Sequence, residues 1–230
     1  ETADRVTVED CISREPISEF AGYRRHTFFT QGGRTLFLRC WSEQGMHDFT
    51  VGHCAAGPNA FVNCYAADAH GDSGPIESWA SGVLYDNVRI DGAGLNLENR
   101  WVSPPSAGWS AANSVIWQCQ AATMRCFQPP TARNWVNGVW TRYAGDAKLW
   151  GESDFVDPKS LYQAQVAARL GKEAADQVGP FLLRPVSATN PDLDAAARFV
   201  AQSQQPPKQL HDVIRERIQG SGCWCRRNLK

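Results

Sequence analysis

Three of the five histidines in this 230-residue chain lie between residues 45 and 87, in a stretch without helical periodicity. The histidine side chain suits a general base because its pKa lies near the working pH, and arginine binds a carboxylate through two parallel hydrogen bonds. Residues of both types, with a phenol and two carboxylates, recur between residues 23 and 77: Tyr23, Arg24, Arg25, His26, His47, His70, Asp72 and Glu77. Such a set permits acid–base chemistry on an acidic substrate, provided that the fold brings the residues together.

The spacing of these histidines matches a repeat in the chain. His26 and His47 are 21 residues apart, and His47 and His70 are 23 apart. Five short segments share one pattern at a similar step: VTVEDC, TLFLRC, NAFVNC, GVLYDN and SVIWQC. Their last residues are Cys11, Cys40, Cys64, Asn87 and Cys119, separated by 29, 24, 23 and 32 residues.

Each segment places residues of like character at like positions. The apolar residue three positions before the end is Val8, Phe37, Phe61, Leu84 or Ile116, and the polar residue just before the end is Asp10, Arg39, Asn63, Asp86 or Gln118. A strand that recurs about every 23 residues is typical of a β-solenoid, in which each coil pairs in parallel with the previous one. We therefore predict an all-β solenoid, a right-handed parallel β-helix of about five coils, over residues 1–150. A β-sandwich is disfavoured because its hairpin turns would come about every ten residues.

The repeat also gives the cysteines a role. A stacked column of reduced cysteine packs as small apolar groups, so Cys11, Cys40, Cys64 and Cys119 are interpreted as core residues. The alternatives are disulfides or metal ligands, although no Cys/His set has zinc-site spacing.

From residue 151 the pattern changes to helices, which we expect to form a cap over residues 151–219. DPKSLYQAQVAARLG predicts a helix with Asp157 as N-cap and Pro158 in the first position, and NPDLDAAARFVAQ and KQLHDVIRERI predict two more. These helices are expected to cover the open end of the coil stack. Residues 220–230 are predicted to be a disordered tail.

The first segment begins at the very start of the chain, where nothing precedes it to cover its strand edge. An uncovered edge promotes aggregation. We therefore expect either an N-terminal continuation of the same solenoid or another chain on this face.

Composition excludes some classes of partner. The 23 basic and 24 acidic residues nearly cancel, so no broad electrostatic field attracts nucleic acid. No apolar run reaches the length of a membrane span. The sequence therefore predicts neither a nucleic-acid nor a membrane partner.

Several stretches resemble the C-terminal region of bacterial right-handed parallel β-helix proteins of the pectate-lyase-like superfamily. They are HDF, GPNAFVNC, DSGPIESWASGVLYDN and PPTARNW, within a likeness that covers roughly residues 4–171. The resemblance implies a carbohydrate-active protein that works on an acidic polysaccharide outside the cytoplasm, either extracellular or periplasmic. The sequence matches neither the calcium-aspartate and arginine motif of pectate lyases nor the aspartate motifs of polygalacturonases. No cofactor is therefore predicted, and no motif supports a bound calcium ion.

With a uronate as substrate, β-elimination is the favoured reaction. It needs a cation on the carboxylate, a base and an acid. Arg25 or Arg24 would neutralise the carboxylate, His47 or His70 would be the base, and Tyr23 or His26 the acid. Two alternatives remain open: an inverting glycoside hydrolase that uses Asp72 and Glu77, and a non-catalytic glycan-binding or structural segment.

Further residues are candidates for substrate binding. Asp48 either contacts substrate or only orients His47 and ties a turn. Arg100 could hydrogen-bond a glycan, and tryptophans at the coil ends or in loops inserted between coils could stack on sugar rings; these are Trp79, Trp101 and Trp109.

Overall fold

The structure is a computed structural model, and it describes residues 3–19, 23–102 and 108–179 together with Leu193, Ala197, Val200 and Ala201. The chain divides into two compact units, residues 1–190 and residues 191–230. The four described residues of the second unit are helical. The predicted helix over 208–218 and the predicted tail over 220–230 lie outside the described residues.

The described part of the first unit is mostly β-structure. Its strands are Thr7–Glu9 (β1), Ile12–Ser13 (β2), His26–Thr30 (β3), Leu36–Leu38 (β4), Trp41–Glu43 (β5), His47–Val51 (β6), Ala56–Val62 (β7), Tyr65–Ala67 (β8), Gly74–Pro75 (β9), Ala80–Asp86 (β10), Arg89–Leu97 (β11), Ala111–Ala112 (β12), Val115–Cys126 (β13), Trp135–Gly145 (β14) and Leu149–Glu152 (β15). All the strand pairs are parallel, and the large sheet curls into a half-barrel. This arrangement is consistent with a β-solenoid.

The strands stack in three columns. Column 1 contains β1, β4, β7, β10 and the first parts of β13 and β14, followed by β15. Column 2 contains β2, β5, β8, the start of β11 and the middle of β13 and β14. Column 3 contains β3, β6, β9 and the ends of β11, β13 and β14. One passage through the columns is called a layer, and the last full passages are β13 (layer 5) and β14 (layer 6).

One row of apolar side chains fills the interior beneath column 1. Val8 pairs with Phe37, Phe37 with Phe61, and the row continues through Tyr85, Ile116 and Val136. The Phe61 ring stacks on Phe37 at 4.8 Å and on Tyr85 at 5.1 Å. The predicted row is confirmed at Val8, Phe37, Phe61 and Ile116. Leu84 was assigned wrongly, because it pairs with Ala60 on the outer face while Tyr85 takes the interior position.

The corner between columns 1 and 2 explains that one-residue error. The corner residue adopts a left-handed backbone in successive layers, with φ of 52° at Arg39, 53° at Asn63, 55° at Asn87 and 52° at Gln118. Asn87 is therefore the equivalent of Asn63, and Val88 occupies the position of Cys64. Asparagine tolerates this conformation better than most residues.

The cysteine prediction is confirmed for three of its four members. Cys40, Cys64 and Cys119 are free thiols with at most 1% exposure, and they belong to the main hydrophobic core. Cys11 is exposed in the first layer. Layer 6 has Gly138 (φ 63°) at the corner and buried Val139 in the cysteine position, so the sequence pattern missed this layer.

Two helices follow the strands, Leu161–Leu170 (α1) and Lys172–Asp176 (α2). The N-cap of α1 is Ser160, whose side chain accepts a hydrogen bond from the amide of Gln163, rather than Asp157. Tyr162, Val166 and Val178 pack with Leu38 and Val62 on the outer face of column 1. The helices therefore cover the side of the stack at layers 2 to 4, not its open end.

The left-handed corner residues also bind this C-terminal segment. Arg39 donates to the carbonyls of Gln177 and Val178 at 2.9 Å, Asn87 to Lys159 at 2.9 Å, and Gln118 to Val156 at 2.7 Å. Asp86 accepts hydrogen bonds from the Ser160 hydroxyl and the Tyr162 amide at the start of α1. The polar column of the repeat thus attaches the segment to the sheet.

The first layer pairs on one side only, because β1 contacts β4 and no other described strand lies against its second edge. Among the described residues, no helix combines the length and the apolar character needed to cross a bilayer.

Candidate functional site

The outer face of column 3 brings the first two histidines together, as the spacing predicted. His26 and His47 are register partners in β3 and β6, and their ring centroids lie 5.0 Å apart. Burial lowers the pKa of His26, and the neighbouring His47 lowers it further. His26 is therefore held in its neutral form to lower pH than a free histidine.

His47 is oriented by the next layer. Its Nδ1 lies 2.6 Å from the backbone carbonyl of Asp72 and 3.7 Å from Asp72 Oδ1. A carbonyl only accepts hydrogen bonds, so Nδ1 must bear the hydrogen, and in the neutral ring Nε2 then presents a lone pair. This tautomer is the one that a general base requires.

The Asp72 carboxylate is in turn held from layer 4. Arg100 forms an ion pair with its Oδ2, and Asn96 donates to the same oxygen at 3.0 Å. Arg100 also donates to the carbonyl of Pro75 at 3.0 Å, and only 12% of its side chain is exposed. The guanidinium is thereby fixed on the carboxylate beside His47.

The polar residues continue into layer 5, where no site residue was predicted. Arg125 pairs with Glu98 at 2.6 Å, and burial raises the pKa of Glu98 despite Arg125 and Arg100 nearby. Asn96 accepts a hydrogen bond from the Arg125 amide at 3.2 Å. We call the whole set the polar row: Tyr23, His26, His47, Asp72, Asn96, Glu98, Arg100 and Arg125. The last strands resemble none of the histidine-bearing segments, so only the strand register could have revealed the later members.

His70 does not stack on His47, which corrects the prediction of a third histidine in the row. The register of β6 with β9 pairs Thr50 with Gly74, a step of 24 residues, which sets Gly71 opposite His47. A side chain at Gly71 would collide with the carbonyl of Met46. His70 instead lies exposed in the preceding turn, where its amide donates to Gly45 at 2.8 Å.

The arginines predicted to neutralise a carboxylate have other partners. Arg25 donates to the carbonyls of Ser18 at 2.8 Å, Gln44 at 3.2 Å and Pro16 at 3.2 Å, so its three nitrogens tie loops together. Arg24 is exposed and pairs with Glu19 at 3.3 Å. Tyr23 is 70% exposed, with its ring 6.0 Å from that of His26. Of these three residues, Tyr23 remains available at the end of the polar row.

Asp48 is structural rather than substrate-binding, because its side chain is fully buried. Its Oδ1 accepts hydrogen bonds from Ser42 and Thr27, and its Oδ2 has no partner among the described residues. Burial raises its pKa to about 6.

Asp72 and Glu77 do not share a site, because they flank β9 and have separate partners. Glu77 is 97% buried against Gly52, with Oε1 3.1 Å from His53 Nε2. Its other oxygen has no partner among the described residues. The carboxylate pair expected for a hydrolase is therefore not formed by these two residues.

The tryptophans lie near the later layers. Trp101 is 74% exposed beside Arg100, in a hairpin where Asn99 bridges to Trp109. Trp79 is 42% exposed, and its amide donates to the carbonyl of Trp109 at 2.8 Å. Trp101 and Trp79 thus present ring surface to solvent, whereas Trp109 is half-buried.

Within the described residues no group of three or more His, Cys, Asp or Glu side chains is placed to hold a metal ion. Comparison with known proteins gave no match to a family model, a curated protein or a solved structure.

Proposed function

We propose that this chain is a right-handed parallel β-helix of the pectate-lyase-like kind and that it cleaves an acidic polysaccharide by β-elimination outside the cytoplasm. The observation that supports this best is the contact of His47 Nδ1 with the Asp72 carbonyl, with Arg100 held on the Asp72 carboxylate. A base of defined tautomer and a fixed cation thus lie close together, with 14% of the His47 side chain and 12% of the Arg100 side chain exposed.

In the proposed reaction, His47 Nε2 removes the proton next to the uronate carboxylate. The electrons of that C–H bond form a carbon–carbon double bond, and the glycosidic C–O bond on the adjacent carbon breaks. Tyr23 protonates the departing oxygen, because the lowered pKa of His26 keeps that ring neutral. The Asp72 carboxylate, 3.7 Å from Nδ1, stabilises the imidazolium that forms.

Arg100 takes the role first assigned to Arg25, and the substrate carboxylate shares its guanidinium with Asp72. The proton next to a carboxylate becomes more acidic when a cation binds that carboxylate, because the carbanion charge spreads onto its oxygens. The guanidinium contacts the same Asp72 side chain that adjoins His47, so one substrate unit could meet both groups.

A hydrolase is the second candidate, and Glu98 favours it. The pKa of Glu98 is raised mainly by burial and to a lesser extent by Asp72, so it suits a general acid. Asp72, held by Arg100 and Asn96, would be the base that activates water.

The test is incubation of the protein with a panel of uronate polysaccharides. The lyase gives products that absorb in the ultraviolet because of the new double bond, and His47→Gln abolishes them while Glu98→Gln does not. Reducing ends without that absorbance, lost in Glu98→Gln, would establish hydrolysis instead. Binding of the polysaccharides without either product would leave a non-catalytic role and refute both enzymes.

A further inference from the structure

The outer face of column 3 does not end at the polar row, because a further exposed arginine follows it in layer 6. Arg142 of β14 is exposed, and it has no ion-pair or hydrogen-bond partner for its side chain among the described residues. Arg142 faces the same way as Arg125. Its register partner is Thr123, and Thr123 and Arg125 lie two positions apart on the same face of β13. Thr123, Arg125, Arg142, Tyr143 and Ala144 line one shallow depression.

The residues of this depression differ in what they can offer a ligand. Tyr143 packs against the hydrophobic core and its hydroxyl donates to the carbonyl of Ala147 at 2.9 Å, so it offers a ligand no free hydroxyl hydrogen. Thr123 and Ala144 are small and exposed, which leaves the floor open between the two guanidiniums. Arg125 packs over Phe127 at 5.9 Å and is paired with a single carboxylate, Glu98. The depression therefore has an excess of positive charge.

We propose that Arg142 and Arg125 form a remote binding site for one carboxylate of a long acidic polymer. The unit of that polymer that reacts lies at His47. This inference rests on the proposed function, because it takes the substrate class from it. The polymer runs along the stack, across the strands, from the histidines of layers 1 and 2 to the arginines of layers 5 and 6.

The distance sets a minimum substrate length. Layers in a parallel sheet are spaced by about 4.8 Å, so His47 in layer 2 and Arg142 in layer 6 lie about 19 Å apart along the stack. A single uronate unit cannot span that distance, whereas an oligomer of several units can. Short oligomers should therefore gain nothing from Arg142.

The test compares Arg142→Ala with Arg169→Ala, which removes an exposed arginine from α1 on another side of the stack. Affinity for a long polyuronate and for a short uronate oligomer is measured by calorimetry in the His47→Gln background, where turnover does not interfere. A charge-assisted contact of this kind predicts about a tenfold loss of affinity for the long polymer. Arg142→Ala should leave the short oligomer unaffected, and Arg169→Ala should change neither.

The outcomes separate this inference from the proposed function. If Arg142→Ala binds the long polymer as tightly as the parent His47→Gln protein does, the remote carboxylate-binding site is overturned, whatever the activity assay shows. An equal loss for short and long ligands overturns it too, since the contact would then not be remote. If Arg142→Ala loses affinity for the long polymer alone, and the wild-type protein releases no unsaturated product, the remote binding site is supported while the lyase is refuted.

Discussion

The outer faces of columns 1 and 3 are built from the same stacked strands but differ in what lies on them. On column 1, outward apolar side chains pack under α1, and corner residues bind the carbonyls of the C-terminal segment. On column 3, the outward residues are histidines, carboxylates and arginines that bind one another from layer to layer. In both places the strand register, rather than proximity in sequence, determines which residues meet.

The two faces also use side-chain hydrogen bonds differently. The corner residues of column 1 donate to main-chain carbonyls of one segment, which fixes that segment in place. The side chains of the polar row instead bind one another, and Tyr23 at its end is 70% exposed. We infer that column 1 supports stability and column 3 supports chemistry, and the following predictions test this division.

The largest expected effect is on catalysis. His47→Gln should lower kcat by about 10²–10⁴-fold, the usual contribution of a general base, while the midpoint of thermal unfolding stays close to that of the parent. Kinetics by ultraviolet absorbance, with circular dichroism for stability, give both values. His70→Gln is the matched control, because His70 lies outside the row. Loss of activity in His70→Gln with full activity in His47→Gln would reverse the assignment.

A smaller effect, on stability alone, is expected on the other face. Leu38 is 6% exposed beneath the helices, and Leu38→Ala should reduce the free energy of unfolding by about 2–5 kcal/mol. Urea unfolding followed by tryptophan fluorescence measures the change. At a temperature where the variant is fully folded, kcat should be unaltered. A fall in kcat of the folded variant would mean that the two faces are coupled.

The smallest effect expected for a single residue is a pH dependence of stability that comes from two buried carboxylates, Asp48 and Asp86. Burial raises the pKa of Asp48 and of Asp86 to about 6, above the unfolded value of about 3.9. The folded state therefore binds protons more tightly, so stability is greatest at low pH and falls as the pH rises from about 4 to above 6, by up to about 3 kcal/mol for each group. Asp48→Asn should flatten part of this slope and make the protein more stable than the parent at alkaline pH.

Urea unfolding at a series of pH values measures that slope. Asp86→Asn should flatten it in the same way, because the amide oxygen can still accept from Ser160 and Tyr162. Asp176→Asn, at the exposed end of α2, is the control and should leave the slope unchanged. A parent whose stability rises between pH 4 and pH 7 because of these two groups would contradict the assignment.

The fold could be predicted from sequence as far as the repeat kept its residue types. Val8, Phe37, Phe61 and Ile116 share one interior row because each precedes a polar corner and a cysteine. At layer 4, Asn87 was aligned with the cysteines although it occupies the left-handed corner, so Leu84 replaced Tyr85. At layer 6, Gly138 and Val139 form the same corner, although they share no residue type with the pattern of the five segments. Backbone conformation repeats more faithfully than residue identity.

The site could be predicted only where stacking involved like residues. His26 and His47 follow from spacing, whereas His70 lies outside the row because the register advances by 24 residues between β6 and β9, not by 23, and so sets Gly71 opposite His47. Arg25 and Asp48 have the right chemistry, but their orientation toward loops and core depends on contacts that spacing does not encode. Glu98 and Arg125 follow no motif, since they meet only through the register of β11 with β13.

The most direct test of the central claim is a crystal structure of the His47→Gln variant with a bound uronate oligomer. We expect the oligomer to lie across the strands of column 3, with one unit at residue 47 and a carboxylate within hydrogen-bond distance of Arg100. An oligomer bound to another face, or one whose carboxylates avoid the arginines of column 3, would contradict it.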